Sequence, residues 1–222
     1  MTPRVTVLQL DTSFPRIAGD VGCPDSYARP PQIIKISGAS VGSIVTDTPQ
    51  NIDITPFAEA MYHAEGDIIV TSCGFLSYWQ DHLAKLCDRP FISSSLVALE
   101  QLAAVIPPEA LQILTFDANR LNAAHFGRYP IYVHSILGLL PTHHLRQVIS
   151  QNLDTLDEAA ARKEVTDLMT QQQTQEHQHI LLECTNLPPY RAAIKAATGL
   201  PVTDILTMVE AACPGAVDPR FN

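Results

Sequence analysis

Basic residues are scarce in this sequence of 222 residues, where 14 Lys and Arg stand against 23 Asp and Glu and give a formal net charge of -9 at pH 7. Binding to nucleic acid needs clusters of Lys and Arg at the phosphates, so we expect no nucleic-acid partner. The sequence also lacks any apolar run near the roughly 18 residues that span a bilayer, so we expect no membrane partner. The N-terminal segment enters a strand directly, from which we expect no signal peptide.

Cysteine is also sparse, with five residues at widely spaced positions: Cys23, Cys73, Cys87, Cys184 and Cys213. An odd set without a CxxC pair is neither a disulfide framework nor a zinc site, so the cytoplasm, where thiols stay reduced, is the expected compartment. The histidines form two close pairs, His143-His144 and His177-x-His179, and neither pair has a convincing third ligand. No glycine-rich phosphate loop follows a predicted strand. We therefore predict neither a metal site nor a nucleotide site.

Two stretches of the sequence match each other when one is shifted by 111 residues. The shift places Cys73 on Cys184 and Pro90 on Pro201. Each copy contains a short apolar run, a cysteine just past its end, a predicted helix and a second strand that begins at a proline. A continuous apolar run bounded by turn signals is typical of a buried parallel strand. The sequence therefore predicts two similar halves, each with one thiol at the carboxyl end of a strand.

Predicted strands and helices alternate along the whole chain, which is typical of a parallel α/β fold. Pro107-Pro108 marks the boundary between the halves. We expect a strand at residues 131–134, one long helix over about residues 154–177, and a helix over residues 188–198 that is closed by Gly199. The predicted fold class is α/β, with two pseudosymmetric halves that each contain a mainly parallel sheet flanked by helices. The active site is expected in the cleft between the halves.

The two matching cysteines have a placement with chemical meaning, because ligands of open α/β sheets bind outside the carboxyl ends of the strands. A cysteine at the start of the following helix is near unpaired backbone N–H groups and the positive end of the helix dipole, which favour the thiolate. Two such thiols across one cleft suit a two-base proton exchange, in which one removes an α-proton and the other returns a proton to the opposite face. The alternative is a pair of buried cysteines in a duplicated fold.

Charged residues near the predicted strand ends supply candidates for assisting roles. Asp11, Asp117 and Glu183 are the carboxylates nearest to such a cleft. Asp11 is the best candidate to orient or activate a thiol, and a turn or helix cap after the first strand is its alternative role. Arg16 can clamp a substrate carboxylate by bidentate hydrogen bonding, or can be a solvated loop arginine.

Neutral polar residues supply candidates for binding the substrate. Thr185 and Asn186 can offer hydroxyl, amide and backbone donors to a substrate carboxylate at a helix N-terminus, or can cap that helix. Ser94, with its neighbours Ser93 and Ser95, follows a predicted strand end. This serine can line the mouth of the cleft or cap the next helix.

These motifs resemble those of the aspartate/glutamate racemase superfamily over nearly the whole chain. The matching segments are Leu10-Asp11, Thr71-Ser72-Cys73-Gly74-Phe75, Glu183-Cys184-Thr185-Asn186 and Val202-Thr203-Asp204. The resemblance implies a racemase that uses no metal, no pyridoxal phosphate and no other cofactor. It implies that Cys73 and Cys184 are the two acid/base thiols. Asp11 would be an assisting carboxylate, and Thr185 a contact to the substrate carboxylate.

The resemblance also implies that the last strand and helix return to the first half. On this basis residues 1–98 and 200–222 form the first α/β half, which contains Cys73. Residues 99–199 form the second half, which contains Cys184.

The sequence departs from the pattern of the superfamily in ways that concern the substrate. Many of its amino-acid racemases have Cys-Asn-Thr at the first cysteine, where this chain has Cys73-Gly74-Phe75. Glutamate racemases have histidine two residues after the second cysteine, where this chain has Asn186, and a glycine-rich turn after the first aspartate, which is missing here. These changes remove polar groups that would hold an α-amino acid. We assign Gly74, Phe75 and Thr12 to substrate binding, and Phe75 indicates a more apolar or differently shaped substrate.

The leading functional hypothesis is a cofactor-independent racemase or epimerase of an acidic amino acid or a related carboxylic acid. The alternatives are a maleate-type cis–trans isomerase, an arylmalonate-type decarboxylase, and a non-catalytic protein that binds small acids. The expected partner is a small carboxylic-acid or amino-acid substrate. The oligomeric state stays open, with a homodimer as one candidate.

Overall fold

The computed structural model describes residues 2–222, whose strands form two four-stranded sheets in which every pairing is parallel. The strands are β1 (Val5–Leu10), β2 (Gln32–Ile36), β3 (Ile68–Thr71), β4 (Phe91–Ile92), β5 (Leu111–Thr115), β6 (Ile136–Gly138), β7 (His179–Leu182) and β8 (Val202–Thr203). The first sheet has the order β2-β1-β3-β4, and the second has the order β6-β5-β7-β8.

The two sheets repeat one another strand for strand. A shift of 111 residues places β3 on β7 and β4 on β8 without a gap. The strand orders also correspond, because β1 and β5 each pair with the two strands in equivalent positions. The predicted α/β fold with two pseudosymmetric halves and parallel sheets is therefore confirmed.

Helices cover the sheets and connect successive strands. The α-helices are α1 (Val41–Ile44), α2 (Thr55–Tyr62), α3 (Gln80–Ala84), α4 (Leu99–Leu102), α5 (His144–Gln151), α6 (Glu158–Gln172), α7 (Arg191–Thr198) and α8 (Ile205–Ala212). Short 3-10 helices include Gly74–Trp79, Ser95–Ala98, Ala123–Phe126, Pro130–Ser135 and Pro188–Tyr190. Within residues 2–222 we find no helix that combines the length and the apolar character needed to cross a membrane.

The central strand β1 shows how the first sheet is buried on both faces. Val5 and Val7 point to one face and Leu8 and Leu10 to the other, and every residue of the strand is buried. Side chains of a strand alternate between faces, so a strand covered on both sides must be apolar at nearly every position. This requirement explains the continuous apolar runs in the sequence.

The C-terminal segment divides between the two sheets. β8 pairs with β7 in the second sheet, so the expectation that the last strand returns to the first half is wrong. The helix that follows, α8, packs on the first sheet, where Ile205, Leu206 and Val209 contact the face that Val5 and Val7 occupy. The chain crosses between the sheets at Asp204, whose carboxylate caps α8 and pairs with Arg191 at 3.0 Å.

Two expected elements differ from the structure. Residues 131–134 form a 3-10 helix instead of a strand, because Pro130 opens the turn Pro130–Ser135 and the strand follows only at Ile136. The long helix expected over residues 154–177 is shorter, since α6 begins after Asp157, whose side chain accepts a hydrogen bond from the Ala160 N–H. The helix α7 does end at Gly199, which has the left-handed φ of 71° that favours glycine.

Removal of the buried side chain of Leu206 should destabilise the protein by about 2–5 kcal/mol, because truncation leaves a cavity between α8 and the first sheet. Urea denaturation of Leu206→Ala measures this loss. Leu140→Ala is the control, because Leu140 is 48% exposed and its truncation should change the free energy of unfolding little. Equal stability of the two variants would contradict the packing of α8 described above.

Candidate active site

A small cavity lies at the carboxyl ends of the strands, where the two halves meet, and both Cys73 and Cys184 line it. Its volume is about 20 Å³. The other lining residues are Leu10, Phe14, Arg16, Val41, Val45, Ser72, Gly74, Phe75, Phe116, Ile149, Glu183, Thr185 and Asn186. The structure thus brings together residues from both halves, and the two matching thiols share one cavity.

Two hydrogen bonds fix the halves to each other beside this cavity. The Thr185 hydroxyl donates to the Ser72 carbonyl at 2.7 Å, and the Ser95 hydroxyl donates to the Leu182 carbonyl at 2.7 Å. All four residues are buried. The segments that contain the two cysteines are therefore hydrogen-bonded across the boundary between the sheets, at Ser72 before Cys73 and at Leu182 before Cys184.

The surroundings of the thiols favour the neutral form, contrary to the expectation from the sequence. Burial, and to a smaller extent the Glu183 carboxylate, raise the pKa of Cys73 to about 12, although the Phe75 N–H and the charge of Arg16 act in the opposite direction. Burial likewise raises the pKa of Cys184 well above its ordinary value. Removal from water outweighs the backbone N–H groups at the following turn, because desolvation disfavours the charged form.

Glu183 is the residue of this site that our reasoning from sequence undervalued. It lies between the end of β7 and Cys184, its side chain is fully buried, and burial raises its pKa to about 7. The Thr115 hydroxyl donates to Oε2 at 2.6 Å and partly offsets this rise, whereas Oε1 has no hydrogen-bond partner. A carboxyl group with such a pKa changes its charge near neutral pH. Glu183 does so in the cavity that also contains both thiols.

Gly74 makes the position of Glu183 possible. A Cβ atom at residue 74 would lie 2.5 Å from the Glu183 carbonyl oxygen and would also overlap Oε1 of the same residue. Any side chain at position 74 would therefore displace the carboxyl group. The Cys-Asn-Thr segment of amino-acid racemases could not be accommodated here without that displacement, which gives a physical reason for the glycine.

A chain of polar contacts joins the loop after β1 to Cys184. Arg16 Nη1 pairs with Asp20 Oδ1 at 2.9 Å, and Asn186 Nδ2 donates to Asp20 Oδ2 at 2.6 Å. The Cys184 thiol donates to Asn186 Oδ1 at 3.6 Å. Asp20 is thus a supporting residue that we did not select from the sequence, where its only signal was an acidic residue four positions after Arg16 in a long loop.

The same loop forms one wall of the cavity and is attached to the second half at its tip. The guanidinium of Arg16 lies 4.8 Å from the centre of the Phe14 ring. Asn152, the left-handed residue that ends α5, accepts hydrogen bonds from the N–H groups of Ser13 and Phe14 at 2.8 and 3.2 Å. The position of the wall therefore depends on contacts made across the two halves.

Several residues predicted to act in the site lie elsewhere. Asp11 does not line the cavity: its side chain is 44% exposed and pairs with Lys35 at 3.5 Å, so the expectation that it orients a thiol is not supported by its placement. Ser94 is fully buried and accepts a hydrogen bond from the Leu96 N–H, which makes it a helix cap. Thr12 does not line the cavity, but its hydroxyl accepts a hydrogen bond at 3.2 Å from Arg16, which does. Asp117 pairs with Arg146 at 2.8 Å.

The remaining wall of the cavity is apolar and aromatic. Phe14, Phe75 and Phe116 line it together with four aliphatic residues, Leu10, Val41, Val45 and Ile149. Among residues 2–222, no three His, Cys, Asp or Glu side chains gather into a group that could hold a metal ion. The cavity thus combines two thiols, one carboxyl group and one guanidinium with an otherwise apolar surface.

Comparison with solved structures relates this architecture to known enzymes at low sequence identity. Allantoin racemase from Pseudomonas fluorescens is 14% identical, with a TM-score of 0.60 over 93% of this chain and 89% of its own. Arylmalonate decarboxylase is 10% identical, with a TM-score of 0.54 over 98% and 96% of the two chains. Glutamate racemase from Campylobacter jejuni is 12% identical, with a TM-score of 0.51 over 96% and 87%. The chain therefore shares the two-sheet α/β fold of these racemases and of the decarboxylase.

Sequence comparison points to enzymes of another class. A dimethylsulfoniopropionate lyase of Durusdinium sp. clade D is 29% identical over 97% of this chain and 76% of its own length. Dimethylsulfoniopropionate lyase 5 of Emiliania huxleyi is 28% identical over 100% of this chain, which spans only 47% of that protein. No family model matches the sequence.

The raised thiol pKa values predict slow alkylation of Cys73 and Cys184. Because the thiolate is the reacting form, both should react with iodoacetamide at pH 8 at least about tenfold more slowly than the partly exposed Cys87. Peptide mass spectrometry of a time course measures the three rates. The same reaction in guanidinium chloride is the control and should remove the difference, and a folded Cys73 that reacts as fast as Cys87 would contradict the prediction.

Asn152→Gly should loosen the loop wall without disturbing α5. Glycine adopts the φ of 52° at this position readily, so the variant removes only the side chain that accepts the two loop N–H groups. Amide exchange at Ser13 and Phe14 should accelerate by about tenfold or more, while exchange within α5 stays unchanged. NMR-detected hydrogen exchange tests this, and unchanged protection of the two loop amides would show that other contacts hold the wall.

Proposed function

We propose that this protein is a lyase that splits dimethylsulfoniopropionate, or a closely related β-sulfonio carboxylate, by removing an α-proton with a cysteine thiolate. The observation that favours this activity is the similarity to dimethylsulfoniopropionate lyases along nearly the whole chain, at 28–29% identity. The cavity supports the chemistry, because it places two thiols next to a guanidinium and to aromatic rings.

The reaction requires a base, a cationic group that binds the substrate carboxylate and a site for the leaving group. The thiolate removes the proton from the carbon next to the carboxylate, and the electron pair of that C–H bond forms the C=C bond. The C–S bond to the sulfonium breaks, and its electron pair stays on sulfur. The products are neutral dimethyl sulfide and acrylate, with the proton on the thiol. Proton removal by a positioned side chain contributes about 10²–10⁴-fold to such rates.

Arg16 is the residue best suited to bind the substrate carboxylate. It is the guanidinium that lines the cavity, its Nε is buried without a hydrogen-bond partner, and its charge lowers the pKa of Cys73. Binding the carboxylate would neutralise the charge that increases during proton removal. Thr185 and Asn186, which also line the cavity, would then position the other side of the substrate or the thiol of Cys184.

The aromatic wall suits the dimethylsulfonium group. Cations with methyl substituents bind over the faces of aromatic rings, which carry a negative quadrupole. Phe14, Phe75 and Phe116 supply three such rings. The cavity of about 20 Å³ holds little more than one water molecule, so the lining residues must move apart for a substrate to bind.

Racemisation or epimerisation of a carboxylic acid is the second candidate function. The observation that favours it is the occurrence of two thiols at equivalent positions of a duplicated fold, both in one cavity. A racemase shares the first step with the lyase, namely removal of an α-proton. It differs in the second, because a thiol on the opposite face must return a proton to carbon.

The purified protein should release dimethyl sulfide from dimethylsulfoniopropionate and form acrylate, as followed by headspace gas chromatography and proton NMR in D₂O. One of the two cysteines removes the proton. Of the variants Cys73→Ser and Cys184→Ser, the one that replaces this cysteine should have a kcat/KM lower by about 10²–10⁴-fold. Cys87→Ser is the control and should keep full activity, because Cys87 lies outside the cavity.

The same assay separates the two candidate functions. The racemase would be favoured if the protein exchanges the α-proton of an amino or hydroxy acid for deuterium but releases no dimethyl sulfide from dimethylsulfoniopropionate. This exchange should be lost in both serine variants. Full activity of both serine variants on dimethylsulfoniopropionate would exclude a thiolate base in the lyase.

A further inference from the structure

The two halves of the site differ at the residue before each cysteine. The shift of 111 residues that places Cys73 on Cys184 places Ser72 on Glu183. The Ser72 hydroxyl accepts a hydrogen bond from the Leu10 N–H at 2.9 Å, which is a structural role. Glu183 instead brings a carboxyl group to the cavity, where Gly74 leaves it room. One half therefore contributes a potential negative charge that the other does not.

Glu183 lacks the partner that a buried carboxylate normally has. Within residues 2–222, no Lys, Arg or His forms an ion pair with it, and Oε1 accepts no hydrogen bond. The guanidinium of Arg16, which lines the same cavity, pairs through Nη1 with Asp20 and not with Glu183. Burying an unpaired carboxylate costs free energy, so such groups are paired, protonated or neutralised by a ligand.

We propose that Glu183 is the counter-ion for a cationic group on the β-carbon of the substrate, and that it selects carboxylates with such a group over carboxylates with an uncharged group in its place. This inference rests on the proposed function, in which the sulfonium is that cation. Arg16 and Glu183 then provide opposite charges for the two ends of a zwitterion. The aromatic side chains of Phe14, Phe75 and Phe116, which line the cavity, would then contact its methyl groups.

The cation would also help to ionise the base. The titratable and charged groups that act on this part of the cavity are Cys73, Cys184, Glu183, Arg16 and Asp20. The Glu183 carboxylate raises the pKa of both thiols by repelling their thiolates. A sulfonium beside Glu183 cancels that repulsion. Proton removal from a thiol should therefore become easier when the cationic substrate is bound.

Cation binding should release a proton from Glu183. The pKa of Glu183 in the protein without ligand is about 7. A cation bound beside this carboxyl group should lower its pKa, because the cation favours the charged form. Below pH 7 the group is mainly protonated before binding and ionised after it. Affinity for a ligand with the cationic group should therefore rise as the pH increases toward 7 and then level off, whereas affinity for an analogue with an uncharged group in its place should not follow this curve.

Titration calorimetry with a matched pair of unreactive ligands tests this role. The two probes are 3-(trimethylammonio)propionate and 4,4-dimethylpentanoate, which differ only in a positively charged nitrogen in place of carbon. The wild-type protein should bind the first more tightly by about 30-fold or more. Measurements at pH 6 in buffers of different ionisation enthalpy should show proton release on binding of the cation alone.

Glu183→Gln keeps the size of the side chain and its bond from Thr115 while removing the charge. It should lose the preference for the probe with the ammonium group and the proton release, and should keep its affinity for 4,4-dimethylpentanoate. Glu176→Gln is the matched control, because it makes the same substitution at an exposed position before the amino end of β7. That variant should behave as the wild type.

The outcomes distinguish this inference from the proposed function. If the preference for the cation is present and is lost in Glu183→Gln, but no dimethyl sulfide is formed from dimethylsulfoniopropionate, the lyase activity is wrong and the counter-ion role stands. If Glu183→Gln keeps the preference, the inference is overturned. If this variant does not fold, the wild-type data decide, and the absence of either cation preference or proton release at pH 6 overturns it.

Discussion

The site depends on the close approach of the Glu183 carboxyl group to the backbone at Gly74. This contact crosses from the end of a strand in the second sheet to the first turn after a strand in the first sheet. It requires a residue without Cβ at position 74 and a hydroxyl donor at Thr115 to hold one carboxyl oxygen. The other oxygen remains unsatisfied. The fold thus keeps a polar group short of a partner in the cavity, where a ligand can supply one.

The loop after β1 couples that cavity to the rest of the molecule. Its arginine faces the cavity, its aspartate holds that arginine and Asn186, and its tip is fixed by Asn152 of the second half. A single displacement of the loop would therefore open the cavity and weaken the contact chain that ends at Cys184.

The fold by itself does not choose among the reactions that its relatives perform. Racemases and a decarboxylase share the two-sheet architecture with this chain, and the sequences similar to it over nearly its full length are those of lyases. Racemisation and sulfonium elimination both begin with loss of an α-proton, so a scaffold that places two thiols at strand ends is compatible with both. Any distinction has to come from the few charged and aromatic groups around the thiols, which is where this chain differs from the amino-acid racemase pattern.

The sequence by itself determined seven of the eight strands, the duplication and the positions of the two thiols, because buried parallel strands impose continuous apolar runs and the repeat aligns Cys73 with Cys184. It also marked Arg16, Thr185 and Asn186, which line the cavity. Only the tertiary structure decided the rest. Asp11 pairs with Lys35 instead of contacting a thiol, and β8 pairs with β7 in the second sheet. Burial raises the pKa of the thiols, which were expected to ionise readily. Each of these outcomes depends on which groups from distant segments become neighbours and on how much water they exclude. The pairing of Gly74 with Glu183, which are 109 positions apart in the sequence, is the clearest example, since neither residue type signals the contact alone.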